Sequence, residues 1–151
     1  MEGPTADIAD RRLPMSDATT ILLIDGSLED REYYTQRLRT SSPDRAVLQA
    51  ITGRAGLILY KRQPIDCVVL ELDLDDMSGF EVLVNLVPRV YQPDIAVIVL
   101  TRLSNPYFLE AAIKNGAHAA LHKSMTSGDI LDKTVLKALS AIPKDRKRLG
   151  P

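Results

Sequence analysis

The sequence predicts an α/β domain: a parallel sheet with helices on both faces. Three observations carry that reading. Short apolar, β-branched runs (TILLID at 20–25, DCVVL at 66–70, IAVIVL at 95–100) have the length and composition of strands buried on both sides. Segments of helical periodicity, about 10–15 residues long, separate them. Capping signals open those segments soon after the strands end. Such alternation calls for β-α units wound onto one sheet.

Composition narrows the class further. At 151 residues the chain is long enough for one domain with a full core, and its 45% hydrophobic and 26% charged content is that of a globular protein. A net charge of −1 provides no overall electrostatic footprint for nucleic acid or a membrane surface. Cys67 is the only cysteine, so no disulfide can form within the chain, and its apolar neighbours mark it as a buried structural thiol. No apolar run approaches the ~20 residues of a membrane span. The N-terminus lacks the basic-then-apolar pattern of a signal peptide, so the expected location is cytoplasmic.

In chain order, residues 1–18 read as a polar leader with two prolines and no sustained periodicity. The domain proper covers 19–142. Its first strand, 20–25, ends in Asp25 before Gly26. Ser27 and Asp30 form a cap pair for a helix at about 28–40, with Tyr34, Leu38 and the stem of Arg31 inward. The second strand, 45–51, is more polar and belongs nearer an edge. A helix at 52–63 presents Ala55, Leu57, Ile58, Leu59 and Tyr60 to the core, although Gly53 and Gly56 weaken it. The third strand follows Asp66 and ends in Glu71. Ser78 and Glu81 then form a capping box for a helix at 79–90, with Phe80, Leu83, Val84 and Val87 inward, until Pro88 kinks or ends it. The fourth strand, 95–100, is the most apolar and expected to be the most central; it leads to Thr101. Asn105-Pro106 opens the fourth helix, which Gly116 closes. A short fifth strand, 117–121, leads to His122 and Lys123. Thr126 with Asp129 is the expected cap of the last helix, running to about 141 through Ile130, Val135, Leu136 and Leu139. Residues 143–151 form a basic tail or the start of a linker. Five such units suit the flavodoxin-like strand order 2-1-3-4-5.

The strand ends then carry Asp25, Glu71, Thr101 and Lys123. In open α/β sheets, sites form at that edge. Each residue alone has an ordinary reading as turn former, cap or surface charge. Two carboxylates, a hydroxyl and an ammonium at the ends of four strands form a constellation. His118 and His122 bracket the fifth strand without the spacing or partners of a metal pair.

On these residues the chain resembles the response-regulator receiver domain of two-component signalling. The resemblance covers about 20–142, with its register carried by ILLID, VVLELDLDDMSG, IVLT and NGAHAALHK. It implies an Asp at the end of the third strand that takes a phosphoryl group from a histidine kinase. It also implies an acidic pair after the first strand that holds Mg²⁺, a Thr or Ser after the fourth and a Lys after the fifth. Metal and lysine neutralise charge on the phosphoryl oxygens, and hydroxyl and lysine clamp the product.

The departures from that pattern are specific. Glu71 stands at the phosphoacceptor position. Gly26 replaces the second metal-binding carboxylate and leaves Asp25 alone. Asp75 and Ser124 replace two loop prolines, and Ala120 replaces the aromatic that reports the switch. Thr101 and Lys123 are kept, and Asp73 completes a degenerate acidic pocket. The extra methylene of Glu71 carries its carboxylate ~1.5 Å further toward Lys123 and Thr101. A displacement of ~1 Å can cost ~100-fold in rate, so phosphotransfer is expected to be absent or negligible. No cofactor is expected, with Mg²⁺ only a weak candidate at Asp25 and Glu71.

A buried Lys123 needs a partner, and the expected one is Glu71, with Thr101 hydrogen-bonded nearby. That contact either mimics the phosphorylated state or simply satisfies the lysine in a domain without a switch. Ala120 leaves the relay from Thr101 nothing to move, which favours the second. The leading expectation is a pseudo-receiver without enzymatic activity, working as a protein–protein interaction or regulatory module. Its partner would be a histidine kinase or an attached output or sensor domain. A homodimer through helix four, strand five and helix five is also open, on a face carrying Tyr107, Glu110, Lys114, His118, Lys133 and Lys137. No nucleic-acid or membrane partner is expected. The alternative is a working receiver, phosphorylated on Glu71 or on a displaced Asp73 or Asp75, with Mg²⁺ at Asp25 and Glu71. A flavodoxin-like enzyme or nucleotide binder is disfavoured, because GSLED after the first strand lacks a glycine-rich phosphate loop.

Overall fold

The computed structural model describes residues 18–143. Expectations for residues 1–17 and for the basic tail beyond Pro143 lie outside them. Strands β1 (Thr20–Ile24), β2 (Ala46–Ala50), β3 (Cys67–Leu70), β4 (Ala96–Thr101) and β5 (Ala119–His122) form one parallel sheet. Their order is β2-β1-β3-β4-β5, the flavodoxin-like order. Helices α1 (Leu28–Ser41) and α5 (Gly128–Ser140) cover one face; α2 (Gly53–Arg62), α3 (Gly79–Leu86) and α4 (Pro106–Lys114) cover the other.

The two faces follow from the period-2 pleat. Leu22, Ile24, Val68, Leu70, Val97 and Val99 pack toward α2, α3 and α4, while Ile21, Leu23, Cys67, Val69, Ile98 and Leu100 pack toward α1 and α5. Strands buried on both sides must be apolar at every position, so they read as unbroken runs rather than alternating ones. Cys67 is fully buried, and burial pushes its thiol up to about 12, as befits a structural residue. Among the described residues no helix is long and apolar enough to cross a membrane.

Several details depart from the sequence-based expectation. The centre of the sheet is β3, not β4, which neighbours the edge strand β5. The glycines of α2 do not weaken that helix's packing; Gly53 and Gly56 are its buried residues. A Cβ on Gly56 would lie 2.3 Å from Ile24, so only glycine lets α2 approach β1 this closely. Tyr60 and the leucines pack partly buried beside them, while Ile58 is exposed. Helix α3 buries Val82, Leu83 and Leu86, turns Val84 outward and ends before Pro88. In α5 the inward residues are Leu131, Val135 and Ala138, with Ile130 and Leu136 exposed. Its N-cap is Ser127, whose hydroxyl accepts from the Ile130 amide. Thr126 instead donates to the carbonyl of His122 and braces a short 3₁₀ turn at Lys123–Met125.

Candidate functional site

Backbone hydrogen bonds carry strand pairing one residue beyond β1 and β3, and so fix the two central carboxylates. The Asp25 amide donates to Ala50 O (3.0 Å) and the Glu71 amide to Ile24 O (2.9 Å). Arg31, buried on α1, donates to the Asp25 carbonyl at 2.8 Å. After Glu71 the chain folds back through a bridge between Asp73 and Ser78. Gly79 then starts α3 against this turn, where a Cβ would lie 2.4 Å from Leu72 Cα. Thr101 pairs with His122 in the sheet, so Lys123 emerges beside it in the first residue of the 3₁₀ turn.

Four of the sequence-predicted residues converge. Lys123 Nζ lies 2.7 Å from Asp25 Oδ2 and 3.1 Å from Glu71 Oε1. The Glu71 Oε2 atom accepts the Thr101 hydroxyl in a short hydrogen bond and the Asp73 amide at 2.9 Å. The Arg102 amide donates to Oε1 at 3.1 Å. Asp25 Oδ1 accepts the Ser27 amide at 2.9 Å. Asp25, Glu71 and Thr101 are nearly or fully buried, at 3%, 2% and 0% exposure, so these polar groups are stable only because they are paired. The expected contact between Glu71 and Lys123, with Thr101 alongside, is present in its direct form.

Burial alone would discharge Lys123. Hydrogen bonds to Asp25 and Asp30 and the charges of Asp25 and Glu71 outweigh that penalty and hold the ammonium well above the ordinary lysine range. These side chains surround a cavity of about 260 Å³ lined also by Gly26, Ser27, Asp73, Asp75 and Arg102.

The remaining sequence-predicted residues bring no further side chain onto Lys123. Gly26 lines the cavity but brings no carboxylate to it. Asp73 turns its carboxylate to the Arg102 guanidinium at 2.6 Å, across the cavity rim. Ala120, half-buried on β5, packs with the α2–α4 face of the core. His118 Nδ1 faces the Val97 amide at 3.4 Å, and His122 Nδ1 accepts the Ser124 amide at 3.1 Å. No group of three His, Cys, Asp or Glu suited to a metal occurs among the described residues.

Sequence reasoning misses two participants, Asp30 and Arg102, and a capping role for Asp76 outside the cavity. The sequence presents Asp30 only as a cap partner, yet its carboxylate lies 2.8 Å from Lys123 Nζ. Its signal was a carboxylate in the first turn of the helix after β1. Arg102, adjacent to Thr101, brings a backbone amide to Glu71 and a guanidinium to Asp73. Asp76 caps α2 from outside, accepting the Gly53 and Arg54 amides at 2.9 Å each. The Arg54 bond foremost holds its carboxyl below the usual range.

Comparison with known proteins agrees with this architecture. A "Probable cyclic di-GMP phosphodiesterase" of Vibrio cholerae is 32% identical over 98 residues, 65% of this chain and 22% of that protein. A "Protein-glutamate methylesterase/protein-glutamine glutaminase of group 2 operon" of Rhodospirillum centenum is 22% identical over 143 residues, 90% of this chain and 36% of that protein. The chain thus spans well under half the length of either relative. Among solved structures, a response regulator receiver domain protein from Methanospirillum hungatei JF-1 superposes with a TM-score of 0.73 at 20% identity, covering 82% of this chain and 95% of that one. The receiver domain of a putative LuxO repressor protein from Vibrio parahaemolyticus gives 0.71 at 26% identity, covering 82% and 91%. The family model for the response regulator receiver domain matches residues 21–135. That match begins within β1, takes in the other four strands and reaches into α5, and the chain belongs to the response regulator receiver domain family.

Proposed function

We propose that this chain is a pseudo-receiver: a receiver domain of two-component signalling that is not phosphorylated in the usual way and serves as an interaction or regulatory module. The saturation of Glu71 is the observation that carries this reading. Its two oxygens accept the Thr101 hydroxyl, the Lys123 ammonium and the amides of Asp73 and Arg102. A nucleophile must present a free oxygen in line with the phosphorus. Thr101 and Lys123, which would clamp a transferred phosphoryl group, are already engaged by the glutamate.

The donor set also suits Mg²⁺ poorly. Mg²⁺ needs oxygen ligands in near-octahedral geometry at ~2.0–2.1 Å. Both oxygens of Asp25 and both of Glu71 are held by N–H or O–H donors, and position 26 supplies none. On this reading the chain performs no chemistry of its own and has no cofactor.

The partner we propose is an attached output domain or a histidine kinase. Two relatives, a named phosphodiesterase and a named methylesterase, extend far beyond the part this chain matches. A kinase partner is in keeping with a cytoplasmic location. The face of α4, β5 and α5 exposes Tyr107, Glu110, Lys114, Lys133 and Lys137, and is the surface on which a partner or a second copy would dock.

One observation favours a second reading. Asp75 is exposed and lines the same cavity as Asp25 and Glu71, which supports a displaced acceptor there. Intact mass after incubation with Mg²⁺ and acetyl phosphate separates the two. The wild type is expected to stay unmodified while Gly26→Asp/Glu71→Asp gains a phosphoryl mass. A gain by the wild type would replace the first reading with the second, and peptide mapping would name the residue.

A further inference from the structure

We propose that Asp30 positions Lys123 as a built-in cation in the acidic pocket, and that this makes the pocket indifferent to divalent metal ions. The inference rests on the reading of the pocket just given and names the residue that sets its metal response.

The local chemistry of α1 explains why Asp30 is available. Ser27 caps the helix by accepting the Asp30 amide at 3.2 Å. In a capping box the residue at that third position, Glu or Gln, turns back to accept the amide of the capping residue. Here the Ser27 amide already donates to Asp25 Oδ1 at 2.9 Å. The Asp30 carboxylate, released from the cap, turns across the cavity to Lys123.

An ammonium has three N–H donors and no acceptor. Lys123 donates a hydrogen bond to Asp30 at 2.8 Å and is ion-paired with Asp25 at 2.7 Å and Glu71 at 3.1 Å, so it meets three carboxylates. Asp25 and Asp30 approach from the β1–α1 side and Glu71 from the end of β3. The ammonium is therefore drawn between them rather than leaning on Glu71 alone. The ammonium thereby supplies the positive charge that these carboxylates would otherwise draw from solution. With the lysine removed, three carboxylates would face one another with only Arg102 at the rim to offset them, a cost that a divalent cation relieves. A carboxylate kept in the first turn only for the helix dipole would leave the response to cations unchanged.

The experiment is thermal unfolding of the full chain in EDTA and in millimolar Mg²⁺ or Ca²⁺. The wild type is expected to show the same midpoint in all three. Lys123→Met keeps the length of the stem and removes the charge. Its midpoint should be lower in EDTA and rise by ~3 °C or more with either cation. Lys123→Met/Asp30→Asn should lose most of that rise. A cation response in the wild type, none in Lys123→Met, or an undiminished one in the double variant would each overturn the inference. Should Lys123→Met fail to fold, Lys123→Gln takes its place: the same cation-dependent rise is expected, and its absence would overturn the inference. A cation response in unphosphorylated wild type would refute this inference and the poor fit to Mg²⁺ argued above, whereas a phosphoryl gain would refute the reading of the pocket as one that is not phosphorylated.

Discussion

Glu71 Oε1 lies 3.1 Å from the Lys123 ammonium, while Oε2 of the same carboxylate accepts the Thr101 hydroxyl. One side chain therefore engages both groups that a receiver site keeps for a transferred phosphoryl group. The extra methylene of glutamate relative to aspartate provides the reach.

Glu71→Gln retains the shape and an acceptor for Thr101 but removes the charge. Lys123 keeps Asp25 and Asp30, so the loss should fall short of a fully orphaned buried charge. We expect about 1–3 kcal/mol, read as a lower urea midpoint with an unchanged slope.

The environment of Lys123 makes stability depend on alkaline pH. Burial opposes its charge, but Asp25, Asp30 and Glu71 more than compensate, so its folded pKa lies above the unfolded one. The stabilisation is fully present below the unfolded value of about 10.4 and is lost as pH rises from there through the folded value. Denaturant midpoints should fall above about pH 10 in the wild type, and Lys123→Met should lack that component of the fall.

His118 acts in the opposite direction. Burial holds its imidazole below the ordinary value, and Nδ1 faces the Val97 amide as an acceptor, which requires the neutral ring. Its contribution is present above the unfolded pKa of about 6.5 and is lost as pH falls through the folded one. His118→Gln should flatten the decline in stability on the acid side of neutrality, measured by unfolding across that range.

Two glycines give opposite outcomes. A Cβ on Gly56 would lie 2.3 Å from Ile24 Cδ1 at the α2–β1 contact, so Gly56→Ala should cost about 1–3 kcal/mol. A Cβ on Gly26 would meet only Ile51 O at 3.7 Å, so Gly26→Ala should change stability by less than about 0.5 kcal/mol. Equal losses at both positions would contradict this packing.

The strands and their order were legible because burial on both faces forces unbroken apolar runs such as those at Cys67 and Ala96. Asp25, Glu71, Thr101 and Lys123 were legible because parallel topology brings their strand ends to one edge. Apolar content did not mark the central strand, since β4 is as buried as β3; only the order 2-1-3-4-5 puts β3 there. Nor was the inner face of α2 legible: glycine has no hydropathy signal, yet its missing side chain allows the contact with Ile24. Val84, Ile130 and Leu136 misled because an exposed apolar side chain on a helix is ordinary and costs little. Asp30 was hidden by a sufficient local explanation, the cap of α1. Only the geometry shows that Asp25 takes the amide Asp30 would otherwise accept.

The most direct test asks whether the pocket can receive a phosphoryl-like group at all. Amide NMR spectra of the wild type, recorded with Mg²⁺ before and after adding beryllofluoride as a phosphoryl analogue, read Thr101, Arg102 and Lys123 individually. With Glu71 already seated on the hydroxyl and the ammonium, those signals should not move, whereas Gly26→Asp/Glu71→Asp should show them shift. Shifts of the same residues in the wild type would mean that Glu71 yields its place to the analogue, and would contradict a pocket filled by its own glutamate.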